Sequence, residues 1–205
     1  MSILWLRRDP LILASRSSAR RMLLENAGIP IEVKAANIDE RSIEADLVKV
    51  HASPRQIAQV LSRQKGLAIE EFGSGQLVLS CDQTMEIDGK IFSKPADRHE
   101  AEATLRLMAG RFHELHSAAT LMRDRTIVTE ILSSVRLKMR PLQDDFITHY
   151  LDTIGDVAFS SVGSYQIEGF GIHLFEAIEG DQFSIMGLPL LPVLKALRAE
   201  GCLKG

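Results

Sequence analysis

The sequence predicts an α/β protein with a mixed sheet, on three observations. Short apolar runs alternate with amphipathic stretches through the first half of the chain, capping and stop residues bracket those stretches, and two long strand-like segments follow between Phe112 and Arg140. Sequential strands joined by helices favour parallel neighbours, and two long consecutive strands favour antiparallel pairing, so the sheet should contain both.

The elements follow in order. Leu11–Ser15 (LILAS) reads as a short buried strand, and Ser17/Ser18 open a helix with Leu23 and Leu24 facing the core and Gly28 as its stop. A second strand starts at Ile31. Asn37–Ala52 is polar and acidic without a firm period, which predicts a loop with a helical turn. Ser53-Pro54 begins a helix with Ile57, Val60, Leu61, Leu67 and Ala68 near one face and Lys65 beside it. Between Gln76 and Pro95 an apolar run ends at Asp82, placing Asp82 at a strand end, and a hairpin turns at Asp88-Gly89. Ala96–Gly110 is a helix on Ala101, Leu105 and Met108. Phe112–Arg123 and Thr126–Arg140 pair as strands, the second alternating Val135, Leu137 and Met139 with Arg136, Lys138 and Arg140. Leu142–Thr153 forms a helix on Phe146, Ile147 and Tyr150, and a last helix starts near Leu190.

Composition limits the function classes. At 205 residues, 45% hydrophobic and 25% charged, the chain can bury a sizeable core in one compact domain or in one of two packed lobes. A formal charge of −3 offers no global basic field, which argues against a nucleic-acid partner. Cys81 and Cys202 form no disulfide framework and fit a reducing cytoplasm. The start MSILWLRRDP does not read as a secretory signal, and no apolar run approaches the ~20 residues of a membrane span.

The chemistry concentrates in a few stretches. In LILASRSSARR, Arg16, Arg20 and Arg21 flank a serine-rich strand-to-helix turn, joining guanidinium donors to the positive end of a helix. That combination suits phosphate, and a capped helix with solvated arginines is the alternative. Neither GxxxxGK[ST] nor a GxGxxG after a strand is present. Asp82, followed by Gln83 and Thr84, stands where open α/β sheets place reactive groups, or is a turn former. The Asp39-Glu40 pair offers carboxylate oxygen to a hard cation, or is solvated loop charge. Lys65 and Lys94 are candidate phosphate partners or ordinary surface lysines. His113 and His116 lie three apart on a strand and face opposite ways, which disfavours a metal shared between them.

Taken together, LILASRSSARR, Asp39-Glu40, the Lys65 of VLSRQKG, SCDQ, IFSKP, GSYQIEGFGIHLFEAIEGD and MGLPL resemble, in order and spacing, the Maf proteins, known as septum-formation inhibitors and nucleotide pyrophosphatases. The resemblance runs from about Leu11 to Leu197. It implies an ITPase-like fold, a mixed elongated β-sheet with flanking helices forming two lobes around a cleft, over residues 1–205 as a single domain, and a homodimer. It implies hydrolysis of a nucleoside triphosphate between its α and β phosphates with a divalent metal, Mg²⁺ or Mn²⁺. Position by position, Ser15, Arg20 and Arg21 would hold the triphosphate, with Lys65 and Lys94 adding positive charge. Glu40 and Asp82 would be the acidic partners of metal and water, Asp82 matching the family's proton acceptor, and Arg20, Gln83 and Glu168 match positions tied to base selectivity. An aspartate with an ordinary pKa near 4 is a weak base at neutral pH, so holding the metal or orienting the water stands beside proton acceptance as a role for Asp82.

Within the family, SCDQ and IEG are closer to the branch favouring 7-methyl-GTP than to the dTTP and UTP branch. ELHSAATL lacks the usual glycine after the H-x-V-x-T strand, and SSVGSYQ lacks a frequent lysine. A nucleotide-sensing module that acts on cell division without turnover is the alternative reading. The retained carboxylates Glu40 and Asp82 favour catalysis, because a pure phosphate binder gains little from negative charge beside a polyanion.

Overall fold

The computed structural model describes residues 4–70 and 72–204. Met1 to Ile3 of the N-terminal stretch, together with Glu71 and Gly205, lie outside the described residues.

The mixed α/β class is the one observed. Strands β1 (Leu11–Ala14), β2 (Ile31–Val33), β3 (Leu77–Ile87), β4 (Lys90–Phe92), β5 (Phe112–Arg123), β6 (Thr126–Met139) and β7 (Phe175–Glu179) form one sheet in the order β2-β1-β3-β5-β6-β7, with β4 also on β3. β1 runs parallel to β2 and β3, and the remaining pairs are antiparallel. The helices are α1 (Ser18–Asn26), α2 (Glu40–Lys49), α3 (Pro54–Leu67), α4 (Arg98–Met108), α5 (Asp144–Ile154), α6 (Gln182–Ile185) and α7 (Leu190–Ala199).

Local chemistry accounts for most boundaries. The Ser17 hydroxyl accepts from the Arg20 N–H and caps α1, and Ser53 and Gln56 form a reciprocal capping box with Pro54 in the first turn of α3. Asp88 and Gly89 both take positive φ, 50° and 79°, as a two-residue hairpin turn requires. Two expectations need correction. Asn37–Ala52 contains the ten-residue helix α2, capped by the Asp39 carboxylate; none of its residues is fully buried, and its apolar face is limited to the partly buried Ile43 and Leu47, four apart, too short a pattern to mark a helix. Asp82 is not at the end of its strand, because β3 continues to Ile87, carried by the buried Met85 and Ile87.

What ends near Asp82 is the neighbouring strand. β1 pairs with β3 only as far as Ala14 opposite Ser80, and β4 joins the same edge only from Phe92 opposite Met85. Residues 81–84 therefore lack a strand partner on that side, while β5 pairs them fully on the other. The sheet's cores flank this gap: Leu11, Leu13, Leu24, Leu79, Val193 and Leu197 belong to one, and Met85, Leu105, Leu137, Ile147 and Leu174 to the other.

Candidate active site

A cleft of about 780 Å³ opens over the gap in β3. Its walls come from the β1–α1 turn, the start of α2, Lys65 of α3, the segment after β4, residues 160–168 and the turn that follows α6.

Arg20 fills the place of the missing strand. Its Nε donates to the Gly187 carbonyl at 2.8 Å, and its Nη1 donates to the Cys81 carbonyl at 2.8 Å and to Ser15 Oγ at 3.2 Å. One guanidinium thus ties together the open edge of β3, the β1–α1 turn and the turn after α6. Gly187 permits this approach: its φ is 89°, and a Cβ there would lie 3.1 Å from Arg20 Nε. The first N–H groups of α1 have no intrahelical acceptor, and Ser17, Ser18 and Ala19 line the cleft. The cleft therefore receives a helix N-terminus, Arg16 and Lys94, a concentration of donors suited to a polyanion.

Opposite them stands an acid–lysine cluster. Lys65 Nζ lies 2.6 Å from Asp82 Oδ1 and 2.8 Å from Glu40 Oε2. Gly66 brings α3 down onto the sheet, since a Cβ at that position would come within 2.7 Å of Ser80 Oγ and 2.8 Å of Met122 Sδ. Burial holds the Asp82 carboxyl above the usual carboxylate range, although Lys65 and Arg20 pull it down. A carboxyl raised in this way is a stronger base than a free aspartate. Glu44, one turn beyond Glu40 on α2, is raised by partial burial and then by Asp82 and Glu40. Lys94 is lowered, first by desolvation and then by Arg20. Cys81 is a buried core thiol pushed up to about 11, no nucleophile at neutral pH.

The structure brings Ser15, Arg20, Glu40, Lys65, Asp82, Gln83, Lys94 and Glu168 to the cleft. Arg21 is not among the lining residues; its Nε pairs with Glu25 Oε1 at 2.8 Å on the outer face of α1, and Arg16 lines the cleft in its stead. Asp39 is spent on capping α2, which separates it from Glu40. Gln83 turns its amide Nε2 away from solvent, within 2.9 Å of Ser117 Oγ and 3.0 Å of the Ser184 and Ile185 carbonyls, so it holds the wall of the cleft. Glu168 sits exposed at the mouth. Sequence reading missed Glu44, whose four-residue spacing from Glu40 signals a shared face only once α2 is known to be a helix.

As donors, the oxygens of Glu40 and Asp82 fit a hard divalent cation, which takes one or two carboxylates and leaves positions for substrate phosphate. Fold and cleft together define an α/β protein with a cationic pocket facing a basic carboxylate. The chain belongs to the Maf-like protein family, whose profile matches residues 10–200. It is 49% identical over 197 residues to a nucleoside triphosphate pyrophosphatase of Rhodopseudomonas palustris (strain HaA2), covering 96% of each chain. It is 46% identical over 195 residues to a 7-methyl-GTP pyrophosphatase of Brucella suis biovar 1 (strain 1330), covering 95% of this chain and 98% of that one. A HAM1 protein from Coxiella burnetii is a remote structural likeness, with a TM-score of 0.36 at 14% identity over 63% of this chain and 72% of that chain.

Proposed function

We propose that this protein is a nucleoside triphosphate pyrophosphatase that hydrolyses its substrate to a nucleoside monophosphate and pyrophosphate. The observation that carries the reading is the opposition, across one cleft, of the α1 N-terminus, Arg16, Arg20 and Lys94 to the buried Asp82–Lys65–Glu40 cluster. The names of the relatives, nucleoside triphosphate pyrophosphatase and 7-methyl-GTP pyrophosphatase, agree with it.

The α1 N–H groups, Ser15, Arg20, Arg16 and Lys94 receive the triphosphate and neutralise its charge. Asp82, made more basic by burial, orients a water and accepts its proton as the oxygen bonds to the α phosphorus. The bond from that phosphorus to the bridging oxygen breaks, and pyrophosphate leaves with the electron pair. Lys65 holds Asp82 and Glu40 in place and balances their charge. Glu40 and Asp82 would hold a divalent cation, Mg²⁺ or Mn²⁺, which would add charge neutralisation; a cation on Asp82 lowers its pKa, and in that state Asp82 orients the water without taking its proton. At the mouth, Glu168 accepts from the N–H edge of a guanine-type base, which favours 7-methyl-GTP over dTTP or UTP. Arg21 has no part in this scheme. The family resemblance adds a homodimer to the proposal, and the two buried free thiols suit a cytoplasmic setting. Among the described residues, no helix is long and apolar enough to cross a membrane.

The test is pyrophosphate release from a panel of ordinary and base-modified nucleoside triphosphates, with Mg²⁺, with Mn²⁺ and with chelator. Metal-dependent turnover led by 7-methyl-GTP is expected. Turnover led by dTTP or UTP discards the role of Glu168 and keeps the mechanism, whereas binding without turnover on any substrate overturns the enzyme.

A further inference from the structure

His116 lies on the same face of the sheet as Asp82, because Asp82 pairs with Ala118 and Thr84 with His116 across the β3–β5 ladder. Its side chain is 1% exposed, and its Nδ1 is 2.8 Å from the Ser134 hydroxyl on β6. Nε2 has no hydrogen-bond partner among the described residues, although it is fully buried. A buried imidazole nitrogen without a partner is costly, and native interiors seldom leave one so. This nitrogen points at two carboxylates. Glu86 Oε1 is 3.6 Å away, and Glu114, directly opposite Glu86 in the ladder, completes a group whose three ligand atoms all lie within 4.8 Å of one another.

The usual neutralisers are occupied elsewhere. Arg136, directly across from Glu114 on β6, stacks its guanidinium 3.8 Å over the Phe112 ring and faces Glu179. Arg55, at the start of α3, is the cation that acts on His116 from the helix side. Burial lowers the His116 pKa, while Glu86 and Glu114 pull it back up.

We propose that Glu86, Glu114 and His116 bind a divalent transition-metal cation of the zinc type at a second site, about 13 Å along β3 from Asp82 at ~3.3 Å per residue. Ser134 acts as the outer partner: an Nδ1–H donated to its hydroxyl leaves the Nε2 lone pair facing the carboxylates, the arrangement metal-bound histidines ordinarily have. Ligand atoms around a tetrahedral zinc ion stand about 2.0–2.2 Å from the metal, closer together than here. The partly exposed glutamates have the freedom to close that difference while the histidine stays fixed. The imidazole sets the selectivity. A site with a nitrogen donor prefers Zn²⁺ or Co²⁺, whereas the all-oxygen pair Glu40 and Asp82 suits Mg²⁺ or Mn²⁺. The cation would clamp β3 to β5 beside the β4 hairpin, which leads to Lys94.

The experiment is a calorimetric Zn²⁺ titration in excess Mg²⁺, added to compete for the oxygen site, on the wild type and on Glu114→Gln and His116→Gln. It is paired with an anomalous map at the zinc edge from a zinc-soaked crystal. One zinc is expected on the wild type, with affinity reduced about tenfold or more in both variants, and a peak beside His116 Nε2. Unchanged affinity in Glu114→Gln, whose partly exposed position tolerates the amide, overturns the proposal even where His116→Gln does not fold. A peak confined to Glu40 and Asp82 overturns it as well. Neither readout requires turnover, so the result stands apart from the fate of the proposed activity.

Discussion

Lys65 Nζ and Asp82 Oδ1 lie 2.6 Å apart, with only 11% and 8% of their side chains exposed. A pair this dry is marginal as a source of stability, because desolvation of both ions offsets most of their attraction. Its value is positional: it holds a carboxylate in the gap of β3, facing the phosphate side of the cleft.

Asp82→Asn is therefore expected to keep the fold and lose turnover, by about 10²-fold or more in kcat if the carboxylate accepts the water's proton. Circular dichroism establishes the fold and pyrophosphate release the loss. A folded variant with wild-type kcat removes Asp82 from the mechanism.

Lys65→Met leaves Asp82 buried without its cation, and the expected destabilisation is about 3 kcal/mol at neutral pH. The sign of its pH dependence follows from burial. With Lys65 gone, the folded Asp82 pKa lies still further above its unfolded value, so the fold is favoured while Asp82 is protonated and loses that advantage as pH rises. Urea titrations near pH 5 and pH 8 should show the larger deficit at pH 8. An equal deficit at both pH values would contradict the burial argument.

Gly187→Ala places a methyl group against Arg20 at a position whose φ is 89°. A cost of about 1–3 kcal/mol is expected from the backbone alone. Because Arg20 must shift from Cys81 and Ser15, KM should rise more than kcat falls. Steady-state kinetics with thermal melts separate the two effects, and unchanged KM would mean that Arg20 does not shape the phosphate site.

Glu168→Gln exchanges an acceptor-only group for an amide with both donor and acceptor. The ratio of kcat/KM for 7-methyl-GTP over dTTP should fall about tenfold, the effect of one hydrogen bond to a charged group. Since Glu168 is at the exposed mouth, stability should not change.

His113 predicts acid sensitivity. Burial lowers its pKa to about 4 from 6.5, and its Nε2 is 2.8 Å from the Tyr165 hydroxyl. The unfolded chain takes up that proton below pH 6.5 and the fold resists it down to about 4, so stability falls as pH drops through this window. The linkage amounts to about 2 kcal/mol lost between pH 7 and pH 5. Denaturant titrations of the wild type and His113→Gln at both pH values check it; the variant should lose less on acidification.

Much of this molecule is legible along the chain because its signals are local. Ser17 and Ser53 cap helices, Asp88-Gly89 turns a hairpin, and Val135, Leu137 and Met139 alternate, each through chemistry acting within a few residues. The resemblance also singled out Ser15, Glu40, Lys65 and Lys94, which the cleft brings together. Helix α2 escaped notice because its apolar face amounts to Ile43 and Leu47, only partly buried and four apart. Contacts between distant residues settled the rest. Asp82 faces a gap because β1 stops at Ala14 and β4 begins its pairing at Phe92, a matter of register between strands far apart in sequence. Arg20 and Arg21 are adjacent and chemically alike, yet successive helical positions point about 100° apart, so one binds Cys81 and Gly187 in the cleft while the other meets Glu25 in solvent. Burial raised Asp82 and lowered His113, because the dielectric around a side chain depends on everything packed against it and not on its neighbours in the chain.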